Sequence, residues 1–468
     1  MEKKYKRLGI DIIVFGLGTL GSKLIMFFLI PIYTNALSSA EYGVSDLVFT
    51  MSELLRPFIS LAIYNGLLRY GLSTEDDKKD VLRCSMIIFF IGSIITIVVT
   101  PLFGLYEAIS EWKWYLCIYT LVVFASKIVL NYLKVSNKNK LYSVLSIVQA
   151  AILALSNILL LVVFRCGIKG YLVSNILAFA FVSILAFVLG RMSHDLFASS
   201  FKADLLKKMV LYSLPFIAND ISWWLIHSSD KFMLERMIGT DALGIYTAAS
   251  KIPLMLTVVA SIFAQAWHLS VINEYETDGN QENRYYSNIF RIFSTCVFGF
   301  AIALIAITKP FMAVYVGSDF SESWHYVPLL IIAAVFSVIA TFVEAFYGAL
   351  KKSTFIMKST MVASVVNVIL NYVFINICGI WGAVIGTVFA YLTLAMVRLI
   401  NIRKYITIRY NTKKFVAMMV IAVLQAIFVG FDIHVLEVSL ISIVAYVIVI
   451  HKDIKDIYQL LIRRIKKL

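Results

Sequence analysis

Four basic residues lie deep in long apolar segments of the sequence: Lys23, Arg56, Lys231 and Lys251. A charge inside a membrane-spanning helix costs a few kcal/mol or more, so such a residue lines a polar pathway or pairs with an acid. Arginine offers a planar fork to two phosphate oxygens, whereas lysine offers a compact point charge. Together these side chains have the chemistry to replace the water around a diphosphate group.

Five acidic residues lie in the same kind of segment and are candidates for ion coupling or charge pairing. Glu53 precedes Arg56 by three residues, so the two side chains share one face of a helix and can pair. Pro57 follows Arg56 directly and predicts a bend there, because proline removes a backbone donor. The complete acidic set is Asp46, Glu53, Asp220, Asp230 and Glu344.

Each buried base has two interpretations. It lines a cavity that receives an anionic ligand, or a neighbouring acid neutralises it and ties two helices together. We favour the cavity for Lys23, Arg56 and Lys251. Both interpretations stay open for Lys231, which directly follows Asp230.

Composition places these charges in a membrane protein. The 468 residues are 60% hydrophobic and 15% charged, whereas an ordinary soluble protein has about 25% charged residues. Apolar runs of the roughly 20 residues that one bilayer crossing needs recur from end to end of the chain, and we count about fourteen of them. The connecting segments are too short for a soluble domain. The sequence therefore predicts an all-α polytopic membrane protein with about 14 transmembrane helices.

The net charge of +14 indicates topology rather than a nucleic-acid partner. With a cytoplasmic N-terminus, lysines and arginines concentrate in the loops on the inner side, as the positive-inside rule requires. An even number of spans then places both termini in the cytoplasm. The tail 452–468 has apolar residues at helical spacing among basic ones, which is typical of a helix on an anionic membrane surface.

Two internal repeats divide the chain. The sequence Cys-Gly-Ile-x-Gly occurs at 166–170 and again at 378–382, each time between two apolar segments. Gly43 and Gly244 form a second equivalent pair, each after a short polar link and before a long span. The repeats predict two six-helix bundles related by pseudo-twofold symmetry, plus two extra C-terminal helices. The predicted parts are the first bundle 1–190, a cytoplasmic linker 191–207, the second bundle 208–403, the additional helices 404–451 and the cytoplasmic tail 452–468.

The second repeat also carries a family resemblance. The pattern Asn-x-x-x-Asn followed by Gly-x-x-Gly-Ala-x-x-x-Thr resembles that of bacterial polysaccharide flippases, which belong to the multidrug/oligosaccharidyl-lipid/polysaccharide exporter superfamily. The segment Pro31-Ile-Tyr33, the link through Tyr42-Gly43 and the helix count are also similar. By themselves, the two amides are better interpreted as hydrogen-bonding groups between helices than as substrate contacts. The residues of the pattern are Asn367, Asn371, Gly379, Gly382, Ala383 and Thr387.

The resemblance implies a fold like that of the multidrug and toxic compound extrusion (MATE) transporters. It also implies a flippase in the bacterial cytoplasmic membrane. Such proteins move polyprenyl-pyrophosphate-linked oligosaccharide repeat units, for O-antigen or capsule, from the inner to the outer leaflet. The implied partners are this lipid-linked substrate, the bilayer, a polysaccharide polymerase and the chain-length machinery. No cofactor is implied.

Three alternatives to a polysaccharide flippase stay open. A cation-coupled multidrug exporter and a lipid II flippase belong to the same superfamily, although a drug exporter needs an acidic cavity and the buried charge here is mixed. A membrane polymerase or ligase is disfavoured because the outer segments are short. The sequence has no Walker A loop, no G-x-S-x-G and no H-E-x-x-H motif, so we expect a transporter rather than an enzyme, without a metal site.

Overall fold

The computed structural model describes residues 25, 27–73, 77–278, 283–350, 352–408 and 410–465. All regular secondary structure in these ranges is helical. In chain order the α-helices of the first part are α1 Phe27–Ala36, α2 Ser39–Ser60, α3 Ile63–Gly71, α4 Lys78–Val99, α5 Lys113–Val135, α6 Asn139–Asn157, α7 Gly167–Leu189 and α8 Met192–Phe197. They are followed by α9 Ala203–Met237, α10 Thr240–Lys251, α11 Pro253–Asp278, α12 Asn283–Tyr315, α13 Val327–Ala349, α14 Ser353–Cys378, α15 Ile380–Ile402, α16 Thr412–Gly430 and α17 Val435–Ile465.

The helices account for the predicted spans. Within the described ranges, eleven helices are long and apolar enough to cross a bilayer, and the bent pair α2–α3 makes a twelfth. Two shorter apolar helices, Phe27–Ala36 and Val435–His451, lie where the first and last spans are predicted. The protein is therefore a multi-pass membrane protein with an all-α fold.

The bend in the second span differs from the predicted one. Helix α2 continues through Pro57, and the chain turns by 57° only between Ser60 and Ile63. Leu61 and Ala62 both adopt the left-handed conformation there, with φ of 48° and 49°. Left-handed residues cannot continue a right-handed helix, so they set the angle between α2 and α3.

The described residues form two compact units. The first unit comprises the described residues up to Thr247, together with 317–319, and the second comprises 248–316 and 320–465. This boundary lies after the one predicted at 191–207, because α9 packs along α2 and α3 within the first unit. The Gly66 amide donates to the Ser213 hydroxyl at 3.1 Å, and the Trp224 indole to the Thr50 carbonyl at 2.9 Å. The division into two six-helix bundles in sequence order remains a prediction.

The two repeated turns share a positive φ at the glycine that follows the cysteine. Gly167 and Gly379, which follow the two cysteines, have φ of +55° and +60°, a region that glycine enters without strain. Three residues later, a side chain on Gly382 would lie about 2.1 Å from the Phe374 carbonyl, so only glycine lets the two helices of this hairpin approach so closely. The repeated Cys-Gly-Ile-x-Gly sequence therefore encodes a tight helix hairpin.

The other repeated pair brings equivalent positions into contact. Inside the first unit, a Cβ on Gly43 would lie 2.2 Å from the Thr240 carbonyl oxygen and 2.9 Å from the Gly244 amide. A Cβ on Gly244 would lie 1.9 Å from the Ser39 carbonyl oxygen. Ser39 and Asp241 join the same crossing through a side-chain hydrogen bond. The two glycines were related by sequence alone, and the fold places them backbone to backbone.

The additional C-terminal helices pack within the second unit. Helix α16 lies against α12 and α13, and α17 lies against α12 and α16. The Gln425 amide donates to the Ile302 carbonyl at 3.1 Å, and the Tyr446 hydroxyl donates to the Thr295 carbonyl. Two buried polar side chains thus attach this pair to the backbone of one helix.

The linker is fixed to the first unit rather than extended into solvent. Lys202 pairs with the buried carboxylate of Asp80 at 2.7 Å, and the Ser200 amide donates to the same carboxylate at 2.7 Å. The Arg83 guanidinium donates to the Ser199 carbonyl at 2.7 Å. Ser199 itself is only 9% exposed. A thiol at that position would be shielded on either side of the membrane.

A topology test therefore needs an exposed linker residue. In a variant whose native cysteines are replaced by serine, we expect Ser193→Cys to react with a membrane-impermeant maleimide only after cells are permeabilised. Ser318→Cys, in the outer segment before α13, should react in intact cells and serves as the control. Both serines are exposed. Efficient labelling of Ser193→Cys in intact cells would place the linker outside and reverse the predicted topology.

Candidate functional site

An ion pair joins two of the predicted site residues in the first unit. The Lys231 ammonium on α9 lies 2.8 Å from the Asp46 carboxylate on α2, and the two side chains are 16% and 10% exposed. The Thr247 hydroxyl donates to the same carboxylate at 3.3 Å. Lys231, for which both interpretations were open, is therefore neutralised by an acid from another helix in this structure.

Asp230 points to a different partner. Its carboxylate accepts hydrogen bonds from the Tyr246 hydroxyl on α10 and from the Lys231 backbone amide, the latter at 2.8 Å. Asp230 is buried, as is Tyr246. Two acids, one lysine and two hydroxyl groups from α2, α9 and α10 thus meet beside the Gly43–Gly244 crossing.

Arg56 has no such partner. Within the described part of the chain, no ion pair or hydrogen bond engages its guanidinium, and its Nε atom is buried without an acceptor. The predicted pairing with Glu53 is absent between these two described residues, and Glu53 is exposed. A spacing of three residues permits a pair but does not hold two long side chains together, because their rotamer entropy opposes it. Arg56 is half-buried, and no acid among the described residues neutralises it.

Neighbouring groups surround Arg56 with mixed charge. The Tyr64 hydroxyl on α3 donates to the Asp220 carboxylate on α9. The Lys127 ammonium on α5 lies over the Tyr64 ring, 4.5 Å from its centroid, so this lysine remains inside the unit instead of extending to the membrane surface. Asp220, predicted as an ion-coupling or charge-pair candidate, thus accepts a hydrogen bond from a tyrosine.

Glu344 lies in the second unit and belongs to a buried network. Its carboxylate pairs with Arg398 at 2.7 Å, and Arg398 is 0% exposed. The guanidinium also donates to the Ser359 hydroxyl at 3.1 Å, the Thr360 hydroxyl at 3.2 Å and the Ala340 carbonyl at 3.1 Å. Arg398, which is not among the predicted site residues, lies inside α15 and connects α13, α14 and α15.

The other two predicted bases are Lys23 and Lys251. Lys23 lies outside the described residues. Lys251 is the last residue of α10 and belongs to the second unit, where it is half-buried.

The two asparagines of the repeat face a neighbouring helix. The Asn371 amide donates to the Asn367 carbonyl at 3.0 Å, and both side chains are fully buried. A Cβ at Gly386 on α15 would lie 2.0 Å from the Asn371 Oδ1 atom, so glycine makes room for the amide there. The hydrogen bond between the two amides therefore lies within α14, and Asn371 meets α15 by close packing at Gly386. A hydrogen bond from the amides to another helix stays a prediction.

One aromatic group accompanies the charged residues of the first unit. The Trp223 ring stacks on His227, with centroids 5.3 Å apart and an interplanar angle of 11°.

Among the described residues, no group of three or more His, Cys, Asp or Glu side chains is arranged to hold a metal ion.

Comparison with known proteins identifies the family. The profile described as "Polysaccharide biosynthesis protein" matches residues 8–268, more than half of the chain. The chain belongs to this family. No curated protein sequence matches it.

Solved structures show the fold of this family member. The lipid II flippase MurJ in an inward closed conformation aligns with a TM-score of 0.69 at 15% identity, covering 95% of this chain and 100% of that one. An inward-facing multidrug resistance MATE family transporter of the MOP superfamily aligns with a TM-score of 0.67 at 15% identity, covering 86% and 97%. A MATE crystal structure in the straight conformation gives 0.59 at 15% identity, covering 84% and 96%. These neighbours are transporters and flippases, not enzymes.

The Asp46–Lys231 pair should contribute to stability. Asp46→Asn leaves a buried ammonium without its counter-charge, and breaking a buried pair costs about 3 kcal/mol. We therefore expect a lower melting temperature in detergent for Asp46→Asn and for Lys231→Met. The double variant should recover most of the loss, because neither charge remains unpaired. Additive losses in the double variant would contradict a direct pair.

The Glu344–Arg398 network should be even more sensitive. Arg398→Ala removes four contacts and leaves the Glu344 carboxylate unpaired, at a cost of about 3–5 kcal/mol. We expect a large drop in melting temperature and in the amount of inserted protein. Glu344→Gln combined with Arg398→Met should be closer to wild type than Arg398→Ala alone. An unchanged melting temperature of Arg398→Ala would show that the network carries little stability.

Proposed function

We propose that the protein is a flippase for polyprenyl-pyrophosphate-linked oligosaccharide repeat units. It moves them from the inner to the outer leaflet of the bacterial cytoplasmic membrane for O-antigen or capsule synthesis. Both termini lie in the cytoplasm, and a polysaccharide polymerase and chain-length machinery use the product. Membership of the polysaccharide biosynthesis family and the fold support this proposal.

The main observation behind this proposal is that Arg56 has no acidic partner among the described residues. Its half-buried guanidinium lies inside a membrane span, so an anion or water must offset the free-energy cost of placing the charge there. A pyrophosphate meets that need, because guanidinium donors match two phosphate oxygens at once. Lys231 is a second cation of the same unit, and its carboxylate partner can be exchanged for a phosphate.

The share of this chain that each structural alignment covers favours a flippase over a drug exporter. The lipid II flippase covers 95% of this chain, whereas the MATE transporters cover 84–86%. A cation-coupled exporter also needs buried acids free to receive a cationic drug. Asp46, Asp230 and Glu344 are instead engaged by Lys231, Tyr246 and Arg398. A lipid II flippase remains the second candidate because of its full-length structural match.

Substitution of Arg56 tests the proposal. Arg56→Ala should abolish surface polysaccharide in a strain that lacks the chromosomal copy, and Arg56→Lys should retain only part of it, because a point charge replaces a fork. Because Arg56 is not paired with Glu53, combining Arg56→Gln with Glu53→Gln should not restore output. Immunoblotting of membranes verifies insertion.

The matched control is Arg69→Ala, an exposed arginine of the same bent helix pair. It should keep wild-type output. Wild-type polysaccharide from Arg56→Ala would remove Arg56 from the substrate path. A deletion strain that keeps its polysaccharide but becomes drug-sensitive would indicate an exporter, and one that lyses from loss of cell wall would indicate a lipid II flippase.

A further inference from the structure

Lys127 is a further cation of the first unit, and no acid pairs with it among the described residues. It lies inside α5, which packs against both α2 and α3. Its half-buried ammonium lies over the Tyr64 ring, 4.5 Å from the centroid. Arg56 on α2 and Lys127 on α5 are therefore two basic residues of one unit that have no counter-ion within the described part of the chain.

The aromatic contact stabilises the ammonium without occupying its hydrogen-bond donors. A ring attracts a cation through the negative charge on its face, whereas a carboxylate or a carbonyl would accept one of the three N–H groups. The hydroxyl of Tyr64 donates to the Asp220 carboxylate on α9, which fixes the ring from its other end. Lys127 can therefore donate to an anionic ligand while it stays on the ring.

Arg56 and Lys127 are close enough to repel each other. Among the charged residues around Lys127, Arg56 has the largest electrostatic effect, followed by Asp220 and Glu53. Asp220 accepts from Tyr64 and Glu53 is exposed, so neither acid is placed as a counter-ion of the two bases. Like charges repel strongly in an apolar interior, because little solvent screens them. An anion that contacts both groups would replace this repulsion with attraction.

We propose that Lys127 binds one phosphoryl group of a lipid-linked diphosphate while Arg56 binds the other. This inference rests on the proposed function and adds a binding residue to the same site. The guanidinium fork matches two oxygens of one phosphoryl group, and the ammonium meets an oxygen of the second as a point charge. Because a monophosphate has no second phosphoryl group, Lys127 gives the site its preference for a diphosphate.

Lipid binding to the purified full-length protein in detergent tests this role. Lys127→Met keeps the apolar stem and removes the charge, so the affinity for a long-chain polyprenyl diphosphate should fall about tenfold or more, as for loss of a charged hydrogen bond. The affinity for the corresponding polyprenyl monophosphate should change little. Lys127→Arg keeps a positive charge and should retain most of the preference for the diphosphate. Isothermal titration calorimetry measures both affinities.

Lys134→Met is the matched control. Lys134 lies seven residues after Lys127 on the same face of α5, in the last turn of the helix, and its ammonium also lies over a tyrosine ring, 4.3 Å from the Tyr142 centroid. The control variant loses the same charge and the same kind of contact, yet it should bind both lipids like the wild type. The melting temperature of Lys127→Met should not fall, because a charge without a counter-ion leaves the interior.

Three results contradict the proposal: wild-type affinity of Lys127→Met for the diphosphate, an equal loss of affinity for both lipids, or an equal loss in Lys134→Met. An equal loss together with a lower melting temperature would assign Lys127 a structural role. These failures are separable from failure of the proposed function. If Arg56→Ala abolishes polysaccharide output while Lys127→Met binds the diphosphate normally, the protein is a flippase that holds its pyrophosphate without Lys127. If Arg56→Ala has no effect on output, the flippase proposal itself is wrong.

Discussion

Hydrocarbon cannot solvate a charge, and this constraint organises the polar interior of the protein. Each buried ion must find a counter-ion, a set of hydrogen bonds or a polar cavity. Lys231 has Asp46, and Arg398 has Glu344 together with two hydroxyls and a carbonyl. These pairs connect helices that are far apart in sequence. Arg56 has neither a counter-ion nor a hydrogen bond to its guanidinium within the described residues, which is why the proposed function assigns the anionic ligand to it.

The two kinds of buried pair serve different ends. Arg398 is completely enclosed, and all of its contacts are internal to three helices. A group in that position cannot reach a substrate, so it acts on structure. The Asp46–Lys231 pair keeps a small exposed area, 16% for the lysine side chain and 10% for the aspartate side chain. Complete enclosure therefore distinguishes Arg398 from Lys231.

The sequence predicted the features that depend on local patterns. The length of the apolar runs predicted the membrane spans, and the repeated motif predicted the turns whose glycines, Gly167 and Gly379, have positive φ. It did not predict the partner of Asp46, because Lys231 is 185 positions further along, and only the packing of α9 on α2 brings the two together. Arg398, the partner of Glu344, was not among the predicted site residues. Glu344, an acid in an apolar segment without a local base, was the signal that a distant partner exists.

The contact between Gly43 and Gly244 limits substitution on both sides of the crossing. An added Cβ at either glycine would lie against carbonyl oxygens of the opposite segment, Thr240 for Gly43 and Ser39 for Gly244. Backbone atoms cannot rotate away as a side chain can, so even one methyl group would force the two segments apart. Each position is therefore constrained by the backbone of the other, and a change at one glycine cannot be relieved by a change at the other.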